Sequence, residues 1–313
     1  MDIVKPRPVR GRVPVALAVL TAGLLAFHRA VPNTPGRAGS LLESFLPWLG
    51  LAAVLLFLYG LWRRTPVVLV AALLPVAVWT HLFAGLLLPA DAAGPRDLVV
   101  VQHNVSDDNP DPADTARALA GTGADLIALE ELVPDALPAY ERALAARYPH
   151  HEVRGTVGLW SRHPLSGART VDIKPAEQDE PWSRGLRAVA ATPHGQVAVY
   201  VAHLPSVRIV PSGMTSRGRD ESAVRLGREV EAEPLDRVIL LGDLNSTVDD
   251  RGLAPLTSRL EVPRHGFAFS FPAGLPLVRI DQVMARSATV AGIDTLPATG
   301  SDHLPVRARI SLD

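Results

Sequence analysis

Long runs of apolar residues without a single charge dominate the first third of the chain. Val67–Leu88 contains 22 such residues, Phe45–Trp62 contains 18, and Val13–Phe27 contains 15 before His28 and Arg29 follow. About 20 apolar residues in a helix are enough to cross the ~30 Å hydrocarbon core of a bilayer. The pattern therefore predicts a membrane anchor over residues 1–90, with three transmembrane helices at about 13–29, 45–62 and 67–88.

Two other interpretations of these runs are open from the sequence. The first run could be the apolar region of an export signal, but no clear small-x-small cleavage site follows it, which favours a retained helix. The second and third runs could form a buried helical hairpin of a soluble protein. Uncharged runs of 18 and 22 residues favour membrane spans over such a hairpin.

The positive charges beside the apolar runs predict an orientation. Arg63–Arg64 separate the second run from the third, and four basic residues precede the first run: Lys5, Arg7, Arg10 and Arg12. Lys and Arg next to membrane spans remain on the cytoplasmic side. We therefore expect a multi-pass protein of the plasma membrane, with a cytoplasmic N-terminus and everything after Leu88 outside the cell.

After a short Pro/Gly/Ala-rich linker at 91–96, segments with strand-like and helix-like patterns alternate. Helix-like segments begin at Asp111, which can cap a helix with Pro112 in its first position and Gly121 at its end, and follow at Pro134–Tyr148 and Asp220–Ala232. The strand-like segments are Asp97–Val105, Asp125–Leu129, Val157–Ser161, Leu186–Ala191, Gln196–Ala202, Val238–Leu241, Arg279–Ala285, Thr289–Asp294 and Leu304–Ile310. This order predicts an α/β (α+β) domain over 97–313, with a two-layer β core flanked by helices.

Composition limits the kinds of chemistry that are open to the predicted domain over 97–313. The chain has no cysteine, which excludes disulfides, thiolate nucleophiles and Cys-ligated metal sites. From Asp97 onward there are 22 Lys/Arg and 29 Asp/Glu, so the formal net charge is −7. A general DNA-binding domain would need a basic face. Carboxylates lining a metal pocket would themselves account for several of the negative charges.

Polar residues recur where the apolar segments stop. Each one alone has an ordinary structural explanation: a solvated turn carboxylate for Glu131, turn chemistry for Asp243, and a hydrogen-bonded core histidine for His203. Their order along the chain is more specific. It comprises QHN at 102–104, LIALEEL at 126–132, GLWSRHP at 158–164, AHLP at 202–205, GDLNS at 242–246, RIDQV at 279–283 and GSDHLPV at 300–306.

This order of motifs resembles the endonuclease/exonuclease/phosphatase superfamily over nearly all of 97–313. The resemblance implies a four-layer αββα sandwich and cleavage of phosphoesters with a divalent metal. Carboxylate and amide oxygens are hard ligands that suit Mg²⁺ or Mn²⁺, and the resemblance implies Asn104, Glu131 and Asp302 as the metal ligands.

The same resemblance assigns the catalytic residues. Asp243 would orient and deprotonate the attacking water, and Asn245 would fix that water or a phosphate oxygen. His303, oriented by Asp281, would hold the phosphoryl group, and His203 would contact the phosphate or assist the leaving oxygen. All these residues are present, so we expect an active enzyme rather than a binding or sensor module on the same fold.

One position departs from the family pattern. Members usually have Gln-Glu where this chain has Glu130–Glu131. Alignment on the preceding apolar run makes Glu131 the ligand and Glu130 the substitute for Gln. The extra charge could alter the metal site or point into solvent.

The whole layout resembles the teicoplanin-resistance membrane proteins of Gram-positive bacteria. This implies a prenyl (undecaprenyl) diphosphate-type lipid as substrate and a link to cell-wall synthesis or glycopeptide resistance. A surface-anchored nuclease and a sphingomyelinase-like phospholipase are the alternatives. The partners we expect are the lipid bilayer and a lipid-linked phosphate; the acidic domain and its few aromatic residues do not favour nucleic acid, and no obligate protein partner is inferred.

Arginine suits bidentate contacts with phosphate. The segment Ser206–Arg219 mixes apolar residues with arginines, so it could lie on the membrane and clamp a second phosphate, or it could be an ordinary surface loop. We consider Arg184, Arg187 and Arg217 as candidate substrate-binding residues.

Overall fold

The computed structural model describes residues 11–89 and 97–312. The chain forms two compact units, Met1–Ala84 and Gly85–Asp313. The predicted linker at 91–96 and the basic residues Lys5, Arg7 and Arg10 lie outside the described residues.

The described part of the first unit is helical. Its helices are α1 (Arg12–Ala26), α2 (Ala38–Ser44), α3 (Leu49–Trp62) and α4 (Pro66–Phe83). Arg64 adopts a left-handed conformation with φ 50°, which stops α3, and Pro66 occupies the first turn of α4, where a missing N–H costs nothing. The two arginines therefore lie in a tight turn between antiparallel apolar helices, as the sequence pattern indicates.

The prediction of three membrane spans is not supported. Among the described residues, one helix, Pro66–Leu87, has the length and composition to cross a membrane. Ala38–Ser44 and Leu46–Trp62 would make a second span only if a pair bent by 68° is counted as one. The run that begins at Phe45 starts with a 3₁₀ turn, Leu46–Trp48, and the α-helix that follows directly, α3, has 14 residues. At 1.5 Å per residue, α3 is about 21 Å long and the 15-residue α1 about 22 Å, both shorter than a ~30 Å core.

Small residues occupy the interior of the helical unit. Ala18, Ala53 and Ala72 are fully or almost fully buried, and Gly60 lies so close to the Leu69 side chain that an added Cβ would clash with it. Many of the large apolar side chains, by contrast, point outward.

The second unit contains two main β-sheets and a small hairpin. The first sheet has the order β12-β13-β1-β2-β4-β3, the second β11-β10-β7-β6-β5, and β8 pairs with β9. In chain order the strands are β1 (Leu98–Asn104), β2 (Leu126–Glu130), β3 (His150–Arg154), β4 (Val157–Ser161), β5 (Leu165–Thr170), β6 (Gly185–Thr192), β7 (Gly195–Ala202), β8 (Ile209–Val210), β9 (Gly213–Met214), β10 (Val238–Asp243), β11 (Asp281–Arg286), β12 (Ala288–Thr295) and β13 (Val306–Leu312). The helices are α5 (Pro112–Gly121), α6 (Leu137–Leu144), α7 (Arg217–Glu231) and α8 (Ala254–Thr257).

Three separate apolar cores show that the unit has four layers. The middle core joins the facing sides of the two sheets and includes Val100, Leu126, Val199 and Leu241. A second core lies between the first sheet and helices α5 and α6, and a third between the second sheet and helices α7 and α8. The predicted αββα sandwich is confirmed.

Strand direction and alternation bring the motif residues to one end of the middle core. β1 runs parallel to β2, and β7 runs parallel to β10, so the carboxyl ends of each pair lie at the same edge. Side chains alternate between the two faces of a strand. Asp243 therefore faces the middle core like Ile239 and Leu241, and Asp281, paired with Asp243 in register, does so as well.

Local predictions in this unit differ in accuracy. Asp111 caps α5 as expected, accepting a hydrogen bond from the Asp114 amide at 2.8 Å. The predicted helix Pro134–Tyr148 is shorter, because only Leu137–Leu144 is α-helical. β3 and β5 were not predicted; both have partly exposed side chains throughout and lack the apolar runs of the central strands.

Candidate active site

Six of the predicted site residues lie at the same end of the sandwich. Asn104 ends β1, Glu131 follows β2, His203 follows β7, Asp243 ends β10 and Asp281 begins β11. The sixth, His303, lies in the loop before β13. All except Glu131 are buried. Burial of so many ionisable groups is expensive unless they pair with each other, and it is typical of functional sites.

His303 and Asp281 form a tightly bonded pair. The Nδ1 atom of His303 lies 2.8 Å from Asp281 Oδ2, and Asp281 also accepts hydrogen bonds from the Ser270 hydroxyl and from Gln102 Nε2. Burial alone would raise the pKa of Asp281, but the charge and hydrogen bond of His303 lower it. Burial opposes the charged form of His303, yet Asp281 and Asp243 raise its pKa to about 10. His303 is therefore a fixed cation at neutral pH.

Asp243 is held between amide groups and two histidines. Its carboxylate accepts one hydrogen bond from the backbone N–H of Asn245 at 2.9 Å and another from the side-chain Nδ2 of Asn104 at 3.1 Å. Its Oδ2 atom lies 3.7 Å from His203 Nε2 and 3.8 Å from His303 Nε2. Burial raises the pKa of Asp243 to about 7, against the opposing effect of His303. A carboxyl group with a pKa near neutrality is suited to accept a proton during the reaction.

His203 is a neutral histidine with an unsatisfied ring nitrogen. Burial, reinforced by the positive charge of Arg184, lowers the pKa of His203 to about 3. Its Nε2 atom is buried without a hydrogen-bond partner and lies 3.7 Å from both Glu131 Oε1 and Asp243 Oδ2. Buried polar atoms in proteins normally have partners, so this nitrogen is placed to contact a bound group.

Left-handed backbone conformations cluster here. Ser106, Glu131 and Asn245 have φ values of 61°, 60° and 48°. Such conformations in residues other than glycine each cost about 1 to 3 kcal/mol and concentrate at functional sites. In Glu131 this turn reverses the chain at the end of β2, and one carboxylate oxygen accepts from the Asp107 amide at 3.3 Å.

The donor atoms at this end of the sandwich fit a hard divalent cation. Asp243, Asp281 and His303 present ligand atoms within 4.8 Å of one another. Asp281, however, already accepts three hydrogen bonds, so its geometry serves to orient His303. Asn104 and Glu131 supply the remaining oxygen donors, and the chain has no cysteine thiolate to compete with them. Oxygen-rich donor sets of this kind bind Mg²⁺ or Mn²⁺.

Asp302 and Asn245 lie at the edge of this cluster. Asp302 is exposed, and its charge contributes to the raised pKa of the adjacent His303. Asn245 Nδ2 donates to the Leu204 carbonyl at 2.9 Å, which ties the loop after β10 to the loop after β7. Both residues are therefore placed beside the predicted reaction centre.

Of the three predicted substrate-binding arginines, the structure brings Arg184 to the site. Its Nη1 atom lies 3.4 Å from His203 Nδ1, and its guanidinium lies over the Trp182 ring. Burial lowers the pKa of Arg184, while Glu131, Asp243 and Asp107 oppose that shift. A partly buried cation at this place is suited to hold an anionic substrate group.

The other two arginines have carboxylate partners elsewhere. Arg187 binds Glu233 through Nε at 2.9 Å and Nη2 at 2.7 Å, and Tyr200 donates to the same carboxylate. Arg217 is 80% exposed and lies 3.3 Å from Glu177. Neither is brought into contact with the described site.

Glu130 points into the protein rather than into solvent. Its side chain is fully buried and accepts a hydrogen bond from Gln102 Nε2 at 2.7 Å. Burial, with the nearby charge of Asp281, raises the pKa of Glu130 well above its usual range. Strand alternation already indicates this orientation, because Leu126 and Ala128 on the same face belong to the middle core.

Two serines support the site and were not predicted. Ser301 Oγ donates to the Asn104 carbonyl at 2.7 Å and accepts from the His303 amide at 3.0 Å. Its place directly before Asp302–His303 is a signal that could have identified it. Ser270 bonds Asp281, but it lies in a loop without a recognisable motif, so the sequence offers no comparable signal.

Comparisons with known proteins place this geometry in a family. The model of the Endonuclease/Exonuclease/phosphatase family matches residues 101–303. A search of curated proteins finds no match.

Solved structures share the fold. D. rerio TDP2 complexed with single-strand DNA product is 18% identical, with a TM-score of 0.56 over 68% of this chain and 98% of that one. Sphingomyelinase C from Streptomyces griseocarneus is 20% identical, with a TM-score of 0.52 over 69% and 99%. A beta toxin mutant from Staphylococcus aureus with bound magnesium ions is 13% identical, with a TM-score of 0.53 over 68% and 99%. The chain belongs to the Endonuclease/Exonuclease/phosphatase family.

Proposed function

We propose that this protein is a membrane-anchored, divalent-metal-dependent phosphoesterase that hydrolyses a lipid-linked phosphate outside the cytoplasm, with a prenyl diphosphate as the substrate class. Members of its family are hydrolases that act on phosphoester bonds with a divalent metal. The observation that carries the catalytic part is the buried pair Asp243 and His303, with Asp281 behind the histidine. The lipid part rests on the apolar helical unit.

The side chains of the site can divide the work of hydrolysis. Asp243 accepts the proton of the attacking water, since burial brings its pKa to about 7. His303, held cationic by Asp281, binds a phosphoryl oxygen and stabilises the negative charge that develops there. Asn245 orients the water or a phosphate oxygen, and Arg184 holds a further anionic oxygen. Asn104, Glu131 and Asp302 are the ligands we propose for the cation, which supplies Lewis-acid activation of the phosphoryl oxygen when bound.

Neutral His203 has a different role from His303. Its pKa of about 3 means that the ring is uncharged at neutral pH, so Nε2 can act as a hydrogen-bond donor or acceptor without adding charge. Nε2 faces both Glu131 and Asp243. We propose that it contacts the phosphate or the leaving oxygen at the border between the cation ligands and the general base.

Three features support a substrate in a membrane. The helical unit exposes large apolar side chains such as Leu55 and Trp62, at 66% and 75%. The second unit exposes Ile209 on the β8–β9 hairpin and Leu275 on the loop whose Ala273 amide bonds the Asp302 carbonyl. The net charge of −7 over 97–313 disfavours a polyanionic nucleic acid.

A substrate panel tests the proposal. Purified full-length protein in detergent is incubated with a prenyl diphosphate, sphingomyelin and DNA, with Mg²⁺ or with EDTA. We expect Mg²⁺-dependent phosphate release from the prenyl diphosphate, and none from an Asp243→Ala variant. Metal-dependent DNA cleavage without phosphate release from the lipid would make a nuclease the better assignment, and phosphocholine release from sphingomyelin would favour a phospholipase.

The orientation in the membrane can be tested separately. Arg63–Arg64 lie just before Pro66–Leu87, the one helix of membrane-spanning length among the described residues, and the positive-inside rule places that end in the cytoplasm. This argument holds for one span as well as for three. A reporter that is active only outside the cytoplasm, fused after Asp313, should therefore be active. Activity of a cytoplasm-only reporter at the same position would contradict the proposed plasma-membrane topology.

A further inference from the structure

Arg219 is a fully buried arginine in the first turn of α7, at the end of the segment Ser206–Arg219, for which the sequence left open a phosphate clamp or an ordinary surface loop. Its side chain is 0% exposed. All three of its nitrogen groups are bonded within the protein: Nε to Asp220 at 2.8 Å, Nη2 to Asp250 at 2.7 Å, and Nη1 to the Asn245 carbonyl at 3.3 Å. A buried guanidinium with these partners cannot reach a substrate phosphate.

Its partner Asp250 closes the loop that follows Asp243. Asp250 is also buried; it accepts hydrogen bonds from the Gly252 amide at 2.9 Å and from the Ser246 hydroxyl at 3.3 Å. Gly252 is tightly packed there, because a Cβ at this position would lie 2.7 Å from Arg219 Nη2. Arg219 thus anchors both ends of the loop 245–252 to the start of α7, one through the ion pair with Asp250 and the other through the Asn245 carbonyl.

The bond to Asn245 links this anchor to the reaction centre. Asn245 has a left-handed conformation with φ 48°, and its backbone N–H donates a hydrogen bond to Asp243 Oδ1 at 2.9 Å. Its carbonyl, on the other side of the residue, is the group that Arg219 binds. The direction of a peptide carbonyl is coupled to ψ of its residue. Arg219 therefore holds the backbone that presents both the Asn245 side chain and the Asp243 hydrogen bond.

We propose that Arg219 is a positioning residue, which acts on catalysis by fixing the Asn245 backbone and, through it, Asp243. This inference rests on the proposed phosphoesterase function. Arginine is required because a planar guanidinium can bond two carboxylates and a carbonyl at once, whereas a lysine ammonium is a point charge that cannot keep this geometry.

The test compares two arginines that bond opposite ends of α7. Arg286 donates to the carbonyls of Val230, Glu233 and Leu235 at the carboxyl end of the helix, far along the chain from the catalytic loop. Arg219→Lys and Arg286→Lys are made in the full-length protein. We expect Arg219→Lys to lower kcat about 10- to 100-fold with KM within about twofold, since a small misplacement of a catalytic group has this effect. Arg286→Lys should leave kcat unchanged.

A double-mutant cycle separates positioning from general destabilisation. Arg219→Lys should lower kcat less in an Asn245→Ala background than in the wild type, because the part that acts through the Asn245 side chain is already lost while the part that acts through Asp243 remains. Amide hydrogen exchange over 243–250 should also rise in Arg219→Lys and not in Arg286→Lys. Unchanged kcat in Arg219→Lys, or unchanged exchange over 243–250, would overturn the inference.

The outcomes remain distinguishable if a variant does not fold or the substrate is wrong. Should Arg219→Lys fail to fold, Asp250→Asn weakens the same ion pair while keeping its shape, and the same pattern is expected. If the wild type hydrolyses none of the phosphoesters, the proposed function fails, but the exchange measurement still decides the inference: faster exchange over 243–250 supports it, and unchanged exchange contradicts it.

Discussion

The two units of the chain use apolar residues in opposite ways. In the helical unit, small residues such as Ala18 and Ala72 are buried, while many large ones, including Val70 at 69%, are exposed. In the second unit the large apolar residues form three cores. Among its described residues, the exposed large apolar side chains are Leu87 and Leu88 near its start, and Ile209, Val224 and Leu275 in the sandwich.

This difference is the basis of our proposal that the helical unit lies in a membrane. An exposed leucine in water forgoes the roughly 1.5 to 3 kcal/mol that its burial would contribute, so an outward apolar surface favours contact with another apolar phase. The second unit, by contrast, buries ionisable groups, which costs free energy. It buries Asp243, Asp281 and His303 together, which proteins do at sites where the shifted pKa values serve a reaction.

The largest expected effect concerns the buried charges. Asp243→Ala should lower phosphoesterase turnover by roughly 100- to 10,000-fold, because it removes the group that we propose as the general base. Steady-state assays at saturating Mg²⁺ measure this. Asp114, whose side chain is 73% exposed on α5, provides the control: Asp114→Ala should have wild-type activity. Activity of Asp243→Ala within a few-fold of wild type would remove Asp243 from the mechanism.

A matched pair of leucines tests the two solvents directly. Leu126 is fully buried in the middle core, and Leu58 on α3 is 54% exposed. Leu126→Ala should lower the free energy of unfolding by about 2 to 5 kcal/mol, whereas Leu58→Ala should change it by less than about 0.5 kcal/mol. Thermal unfolding of both variants in detergent, followed by circular dichroism, compares them. A Leu58 variant as destabilised as the Leu126 variant would mean that the outward face of α3 is packed against protein.

A smaller effect is expected from the cation beside His203. Arg184→Gln should reduce kcat/KM about 10- to 100-fold, since hydrogen bonds to charged groups contribute about 1.5 to 3 kcal/mol. Arg162 is the matched control because it too lies over an aromatic ring, that of Tyr148, but follows the far end of β4. Equal losses of kcat/KM in Arg184→Gln and Arg162→Gln would show that the loss of any arginine charge causes the effect, and that the position of Arg184 does not matter.

The smallest change is predicted for removal of the helical unit. A fragment of residues 85–313 contains all three cores of the sandwich and every proposed site residue. It should hydrolyse a short, water-soluble prenyl diphosphate with kcat within about twofold of the full-length protein. Its turnover of a long-chain substrate in vesicles should fall, because the high local concentration provided by tethering is lost. Loss of activity on the soluble substrate would show that the helices contribute to the catalytic fold.

Local patterns were sufficient for much of the fold and of the site. Strand-like runs such as Val157–Ser161 match the observed element because apolar period and length are local properties. Residues implied at strand ends lie side by side because parallel neighbours end at the same edge of a sheet: Asn104 and Glu131 in the first sheet, His203 and Asp243 in the second. The motif order alone was enough to recognise the family that the match over 101–303 shows.

Other features depended on contacts between distant parts of the chain. The sequence by itself determined which residues can carry charge, bind a cation or enter a strand, since these follow from side-chain chemistry and short-range periodicity. The tertiary structure alone decided that Arg187 pairs with Glu233, that Arg219 anchors the Asn245 loop, and that Ser270 bonds Asp281. It also decided that the chain bends by 68° between Ala38–Ser44 and Leu46–Trp62, at the start of the second apolar run. Partner choice is a property of packing, because many arrangements satisfy one local pattern and only the folded chain brings a particular pair of groups together.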